Sequence, residues 1–209
     1  LPRPDIPPVF QRGGYVSFLA TPSGRLVTDD YPDNHKHHHG LWSTFCKVLF
    51  DDRRPDFWNM GDRKGTVLAT GHESPWVAGR FGALVARHRH VDLLAPTATP
   101  ALDERWDLVL RAPQPGARFW ILDLTSTVAT AGPREVVLET HLYGGLGLRG
   151  HAAWNGKDQV RFLTAEGKGR PEAHATRPRW TSMFGAVEGR PAGVAVIGHP
   201  DNVRDPQPV

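Results

Sequence analysis

The chain has 209 residues, 39% of them hydrophobic, and its 25 Lys and Arg nearly balance 22 Asp and Glu for a formal net charge of +3. That is enough apolar material for one sizeable core, which excludes a disordered chain; an all-β fold of this length is ordinarily one domain, here residues 1–209. No Lys/Arg block forms the basic face that nucleic-acid binding needs, and no apolar run approaches the ~20 residues of a membrane helix.

The 22 glycines and 19 prolines are scattered without period, which suits many turns and few or no helices. The chain opens on Leu1, with no Met and no signal-peptide pattern. The expectation is a soluble protein, cytoplasmic or exported with its leader trimmed. The first distinctive element is "NHKHHHGLW", Asn34 to Trp42, which packs four of eleven histidines into five positions. In an extended segment His35, His37 and His39 share one face and His38 takes the other. Imidazole suits proton transfer near neutral pH and is the commonest metal ligand. His35 and His37 could hold a divalent metal only with a third ligand from elsewhere, and the sequence has no HExxH. A metal is therefore permitted, not demanded, and no other cofactor is implied.

"LWSTFCKVLF" follows, alternating with Trp42, Thr44, Cys46, Val48 and Phe50 on one side. Cys46 is the single cysteine, so an internal disulfide and a thiolate zinc site are excluded, and a buried structural thiol is expected. In "RPDFWNMG", Asp56 lies beside Phe57 and Trp58, the carboxylate-plus-ring pairing by which sugars are bound; equally, the rings could plug the edge of the core. Leu94 to Asp103, "LAPTATPALD", reads as a loop.

"ERWDLVLRA" puts Trp106, Leu108 and Leu110 on one face and Arg105, Asp107 and Arg111 on the other. "RFWILDLTSTV" aligns Trp120, Leu122, Leu124 and Val128, and the short "PQPGA" between them predicts a β-hairpin. "REVVLETHLY" turns Val136, Leu138, Thr140 and Leu142 inward, leaving Glu135, Glu139, His141 and Tyr143 on its other face. In "HLYGGLGLRGHAAW" no GK[ST] follows the glycines, so they relieve a strand kink or bulge and do not bind phosphate. Arg149 and His151 project from that bend, and Arg149 is placed to clamp a carboxylate or a hydroxyl. Residues 164–178 read as a longer polar loop, "AGVAVIGHP" as a short strand ending at His199, and "GHPDN" as a tight turn. No stretch keeps a helical period for three turns, so the expected fold is an all-β antiparallel sandwich or barrel.

Taken in this order, "NHKHHHGLW", "DFW", "GGLGLRG" and "HPDN" resemble an uncharacterised bacterial family commonly labelled "methane oxygenase PmoA", over the chain from roughly Tyr15 onward. The matching positions are His35, His37, His38, Gly40, Trp42, Asp56, Phe57, Trp58, Arg149, His199, Pro200 and Asn202. Asn34, Lys36 and His39 depart from that family's usual Asp, Pro and Arg. An Asp at position 34 could orient a histidine or join a metal shell, and here it is missing. The family's Trp-rich segment after the His-Pro turn is missing too, so truncation at the C terminus is expected. Methane oxygenation by a membrane-embedded subunit needs spanning segments, which this sequence lacks. The resemblance implies instead a β-sandwich of the galactose-mutarotase supersandwich kind, where a ligand lies across a concave sheet and a histidine acid works with a carboxylate base.

These readings converge on a small-molecule carbohydrate partner, a sugar or sugar-derived acid, with no nucleic acid and no membrane. As an isomerase, epimerase or lyase, the protein would use His35, His37 and His38 for proton transfer, Arg149 as clamp and Glu139 as base. Trp42, Asp56, Trp58, His141, His199 and Asn202 would bind substrate. Two alternatives stand beside this: a non-catalytic carbohydrate-binding module, and a metal-dependent oxidoreductase or lyase built on His35 and His37.

Overall fold

A computed structural model describes residues 4–112 and 114–209. The trimmed-leader expectation at Leu1 and the Pro113 end of the hairpin link fall outside the described residues. The fold is an all-β sandwich, antiparallel in every pairing described, with few helices. One three-stranded sheet joins β1 (Tyr15–Val16), β2 (Leu41–Thr44) and β10 (Gly145–Leu148) in the order β1-β2-β10. β3 (Val48–Phe50) pairs with β9 (Val136–Leu138). The largest sheet runs β4 (Gly65–His72), β6 (Phe81–Asp92), β7 (Thr99–Arg111), β8 (Ile121–Thr130), with β5 (Trp76–Ala78) on β6. β11 (Val160–Thr164), β12 (Trp180–Val187) and β13 (Arg190–Ile197) form the fourth sheet.

The expected hairpin is β7–β8, with Leu108 opposite Leu124 and Leu110 opposite Leu122. Its inner face buries Trp106 and Leu108. The outer face of the same sheet carries ion pairs: Arg87–Glu73, Arg89–Asp103, Arg105–Asp107 and Arg111–Asp123. These arginines are balanced locally, which is why the alternation reads so cleanly. Below the sheet, β3 packs Val48 and Phe50 with Phe57, Val67, Ala101 and Leu102 into one core cluster. Truncating a buried ring such as Phe50 to Ala typically costs about 3–5 kcal/mol. A second cluster, Val27, Trp154, Val160, Val187 and Ala192, lies beneath the fourth sheet.

Several boundaries depart from the sequence pattern. Thr99–Asp103 is the start of β7 and not loop, because Ala101 and Leu102 fill the first core cluster. Pro100 is tolerated there because the register shifts between His90 and Val91, and a bulge needs one donor fewer. "LWSTFCKVLF" is broken at Phe45–Lys47 into β2 and β3, which belong to different sheets. Cys46 is half-buried at that break; its thiol, pushed up to about 11 chiefly by burial, donates to the Tyr143 carbonyl at 2.7 Å. β9 stops at Leu138, so Glu139 and His141 do not share a strand face, and Leu142, expected inward, is 80% exposed. β13 ends at Ile197, two residues before His199. The polar loop at 164–178 contains one helical turn, α1 (Arg170–Ala173). Among the described residues no helix is long and apolar enough to cross a membrane.

Candidate functional site

The histidine run is not extended. The His35 amide donates to Pro32 O at 2.9 Å and the His38 amide to His35 O at 2.8 Å, while the Tyr31 amide returns to His38 O at 3.1 Å. Successive turns replace the two-residue alternation, so the expected grouping fails. His35 stacks on His38 at 4.8 Å between centroids, and His37 meets His38 edge-on at 4.6 Å. His39, expected beside His35 and His37, points the other way into the protein. There it stacks on Tyr15 at 4.1 Å, and its Nδ1 bonds Asp30 Oδ1 at 2.8 Å. Tyr31, at the start of the segment, is buried with φ of 53°, a left-handed conformation that a bulky residue adopts only when its surroundings impose it.

Behind the three clustered imidazoles stands an aromatic wall. Trp42, on β2, lies 5.0 Å from His38 and 5.0 Å from Trp58. Gly147 of β10 sits opposite Trp42 in register, and a Cβ there would lie 2.6 Å from the indole, so only glycine lets the ring lie flat on that strand. Asp56 builds the loop that carries Trp58: its Oδ1 accepts from the Trp58 and Asn59 amides, both at 2.8 Å, and its Oδ2 from Asn59 Nδ2 at 2.7 Å. Asp56 thus holds its own turn. Trp58 continues to Tyr143 at 5.6 Å, and Tyr143 to His141 at 4.6 Å. Trp42 and Trp58 are buried, whereas Tyr143 is 47% exposed. The rings a ligand can reach are therefore Tyr143 and the imidazoles, with the tryptophans as their support.

Arg149, directly after β10, donates from Nη2 to Asn155 Oδ1 at 2.7 Å and reaches Asn34 Oδ1 at 3.4 Å. Its amide donates to Gly40 O at 3.0 Å, which fixes the arm to the end of the histidine run. Asn34 and Asn155 also line a cleft of about 380 Å³ with Asp29, Asp30, Tyr31 and Asp33. Glu139 pairs with Arg54 instead of with an imidazole. His199 and Asn202 bond within their own turn: the Asn202 amide donates to His199 O at 3.0 Å, and the Asp201 amide to His199 Nδ1 at 3.2 Å. The structure therefore brings together His35, His37, His38, Trp42 and Trp58, adds Tyr143 and His141 at one end, and sets Arg149 beside them.

Burial, then the neighbouring His37 and His35, pushes His38 down to about 3, so it is neutral at neutral pH and offers a lone pair. His37 is lowered for the same reasons, burial first and His35 second.

A second polar group, packed against Phe57 and Trp106, was not evident from sequence. Glu104 accepts from Trp106 Nε1 at 2.7 Å, Ser126 Oγ at 2.6 Å and His90 Nε2 at 3.0 Å, with His88 Nδ1 at 3.8 Å, an ion-pair and not a hydrogen-bond distance. Burial raises the Glu104 carboxyl, but the surrounding donors outweigh it and hold it well below the usual carboxylate range. Arg12, lowered to about 10 by burial against the pull of Glu104, supplies the countercharge. The signal was the alternation of "RHRH", Arg87 to His90, opposite "DER", Asp103 to Arg105: arginines on one face, histidines on the other. Among the described residues no three His, Cys, Asp or Glu side chains are grouped to hold a metal ion.

No curated protein and no solved structure matches the chain. A family model matches residues 2–209, and the chain therefore belongs to the family of unknown function DUF6807.

Proposed function

We propose that the protein binds a sugar or sugar-derived acid over the imidazole cluster and acts on it by histidine acid/base chemistry, as an isomerase, epimerase or lyase. The observation that carries this reading is the gathering of His35, His37 and His38 against the buried Trp42–Trp58 wall, with Tyr143 as the exposed ring. Nothing in a plain β-sandwich requires three solvent-reachable rings to crowd one another, one of them held neutral. A sugar's CH face suits Tyr143 and His38; its hydroxyls suit the imidazoles and the amides of Asn34 and Asn155; a carboxylate suits Arg149. Glu139 is engaged by Arg54, so the base in this reading is an imidazole and not that carboxylate.

One observation favours a second reading, the non-catalytic carbohydrate-binding module. The three imidazoles contact each other and aromatic rings, and no carboxylate hydrogen-bonds to them among the described residues. A panel of neutral sugars and uronates, screened by thermal shift and calorimetry, tests both. Binding that His38→Ala abolishes, followed by chemical change of the ligand, supports the enzyme. Binding without turnover supports the module. No binding by any sugar or uronate rejects both.

A further inference from the structure

We propose that Arg12 is a positioning residue for the Trp42–Trp58 wall: its buried guanidinium holds the backbone after Trp42 and the backbone before Trp58 at a fixed separation. The side chain is 8% exposed and comes from a segment remote in sequence from both tryptophans. Nη2 donates to Ser43 O at 3.3 Å, Nη1 to Phe57 O at 3.5 Å, and Nε to Gly13 O at 3.0 Å. Ser43 follows Trp42 and Phe57 precedes Trp58, so one planar fork fixes the two peptide units next to the paired, tilted rings. Thr44 Oγ1 donates to the same Phe57 carbonyl at 3.2 Å, which ties the β2 end to the loop from a second side. One backbone bond also crosses here, from the Phe57 amide to Phe45 O at 3.0 Å, but it lies two residues beyond Ser43, and the Arg12 fork is what fixes Ser43 O relative to Phe57 O. The charge of Glu104 favours the protonated guanidinium through space, and its own oxygens are held by Trp106, Ser126 and His90. The inner network thus meets the segments beside the wall through the Arg12 hydrogen bonds, with His90 packing edge-on to the Phe57 ring at 5.1 Å. This rests on the wall being the site's support, as read above, but its test needs no ligand.

Two indoles 5.0 Å apart at 52° couple their transitions and give a paired positive and negative band in far-ultraviolet circular dichroism. The chain has seven tryptophans, so the band is assigned by difference: Trp42→Phe and Trp58→Phe must each remove it. Arg12→Lys keeps the charge but loses the fork. It should still melt cooperatively, with the coupled band reduced to about half or less. The charge-free double variant Arg12→Met/Glu104→Gln is the second test, since neutralising both partners of a buried pair is often tolerated; the same loss of the band is expected. An unchanged band in either folded variant overturns the proposal. Failure of both variants to fold overturns it too, because Arg12 would then hold the whole core and not the wall in particular. Failure of every sugar to bind, with the band behaving as stated, would reject the ligand reading alone.

Discussion

The imidazole of His39 and the carboxylate of Asp30 meet at 2.8 Å inside the protein, on the opposite side of the chain from His35, His37 and His38. His39 is fully buried, and burial lowers its affinity for a proton, so its Nδ1–H donates to Asp30 as a neutral ring. One residue of the four-histidine run is thus a structural member. His39→Ala is expected to cost about 1–3 kcal/mol by leaving Asp30 without its donor. Urea unfolding measures the loss, and ligand affinity should not change. A loss of affinity without a loss of stability would place His39 in the site after all.

The opposite pattern is expected for the outward trio. Once a turned-over ligand is in hand, His37→Ala should lower turnover by ~10²–10⁴-fold, the usual contribution of a positioned proton-transfer group. His35→Ala should weaken binding more than turnover, because His35 lies at the exposed end of the stack. Steady-state kinetics separate the two effects. If His35→Ala/His37→Ala keeps full activity, acid/base catalysis by this cluster is wrong.

Acid should destabilise the fold through the same histidines. His38 titrates at about 3 when folded and near 6.5 when unfolded, so the unfolded chain takes up the proton first. The stability held above the unfolded value is lost as pH falls through the window between the two. His37, His39 and His90 are shifted in the same direction. Glu104, held low in the fold, adds a loss once pH drops below the unfolded carboxylate value of 4.5. The urea midpoint should therefore be lower at about pH 5 than at about pH 7, and His38→Gln should narrow the difference. A midpoint that rises on acidification would contradict the neutral-imidazole arrangement.

Gly147→Ala should disturb the wall directly. The added methyl would lie 2.6 Å from the Trp42 ring, which must then tilt or force β10 away from β2. Overpacking of this kind typically costs about 1–3 kcal/mol. Near-ultraviolet circular dichroism of the indoles should change along with the thermal midpoint; Gly132→Ala, at an exposed bend with open space around it, controls for the added methyl without a ring clash.

The all-β fold was legible because alternation survives wherever one face of a sheet is buried and the other carries paired ions, as in Trp106 and Leu108 against Arg105 and Asp107. It misled where the chain changes sheet. Through Phe45–Lys47 the apolar spacing continues although the strand does not, because both flanking strands need buried side chains on similar spacing. The histidine run was legible as a cluster but not in its grouping, since turn hydrogen bonds at Pro32 and His35 fix which rings meet, and extended-chain parity does not apply. Asp56, Trp42 and Trp58 were found by composition, yet their work as loop anchor and buried support follows from tertiary neighbours. The Arg12–Glu104 group depends on contacts between residues far apart in sequence, and only the "RHRH" alternation hinted at it.

Two of the places where the chain changes sheet lie side by side, one at Phe45–Lys47 and one between Leu138 and Gly145. The two crossings are joined by the Glu139 amide on Lys47 O at 2.9 Å and the Cys46 thiol on Tyr143 O at 2.7 Å. Sliding of either sheet past the other must strain both links together. The crossings therefore act as one mechanical joint, and the rim of the site that carries Tyr143 should open as a single cooperative unit. In native-state hydrogen exchange, the amides of Glu139 and Phe57 should share one opening free energy, and covalent capping of the Cys46 thiol should lower both in step.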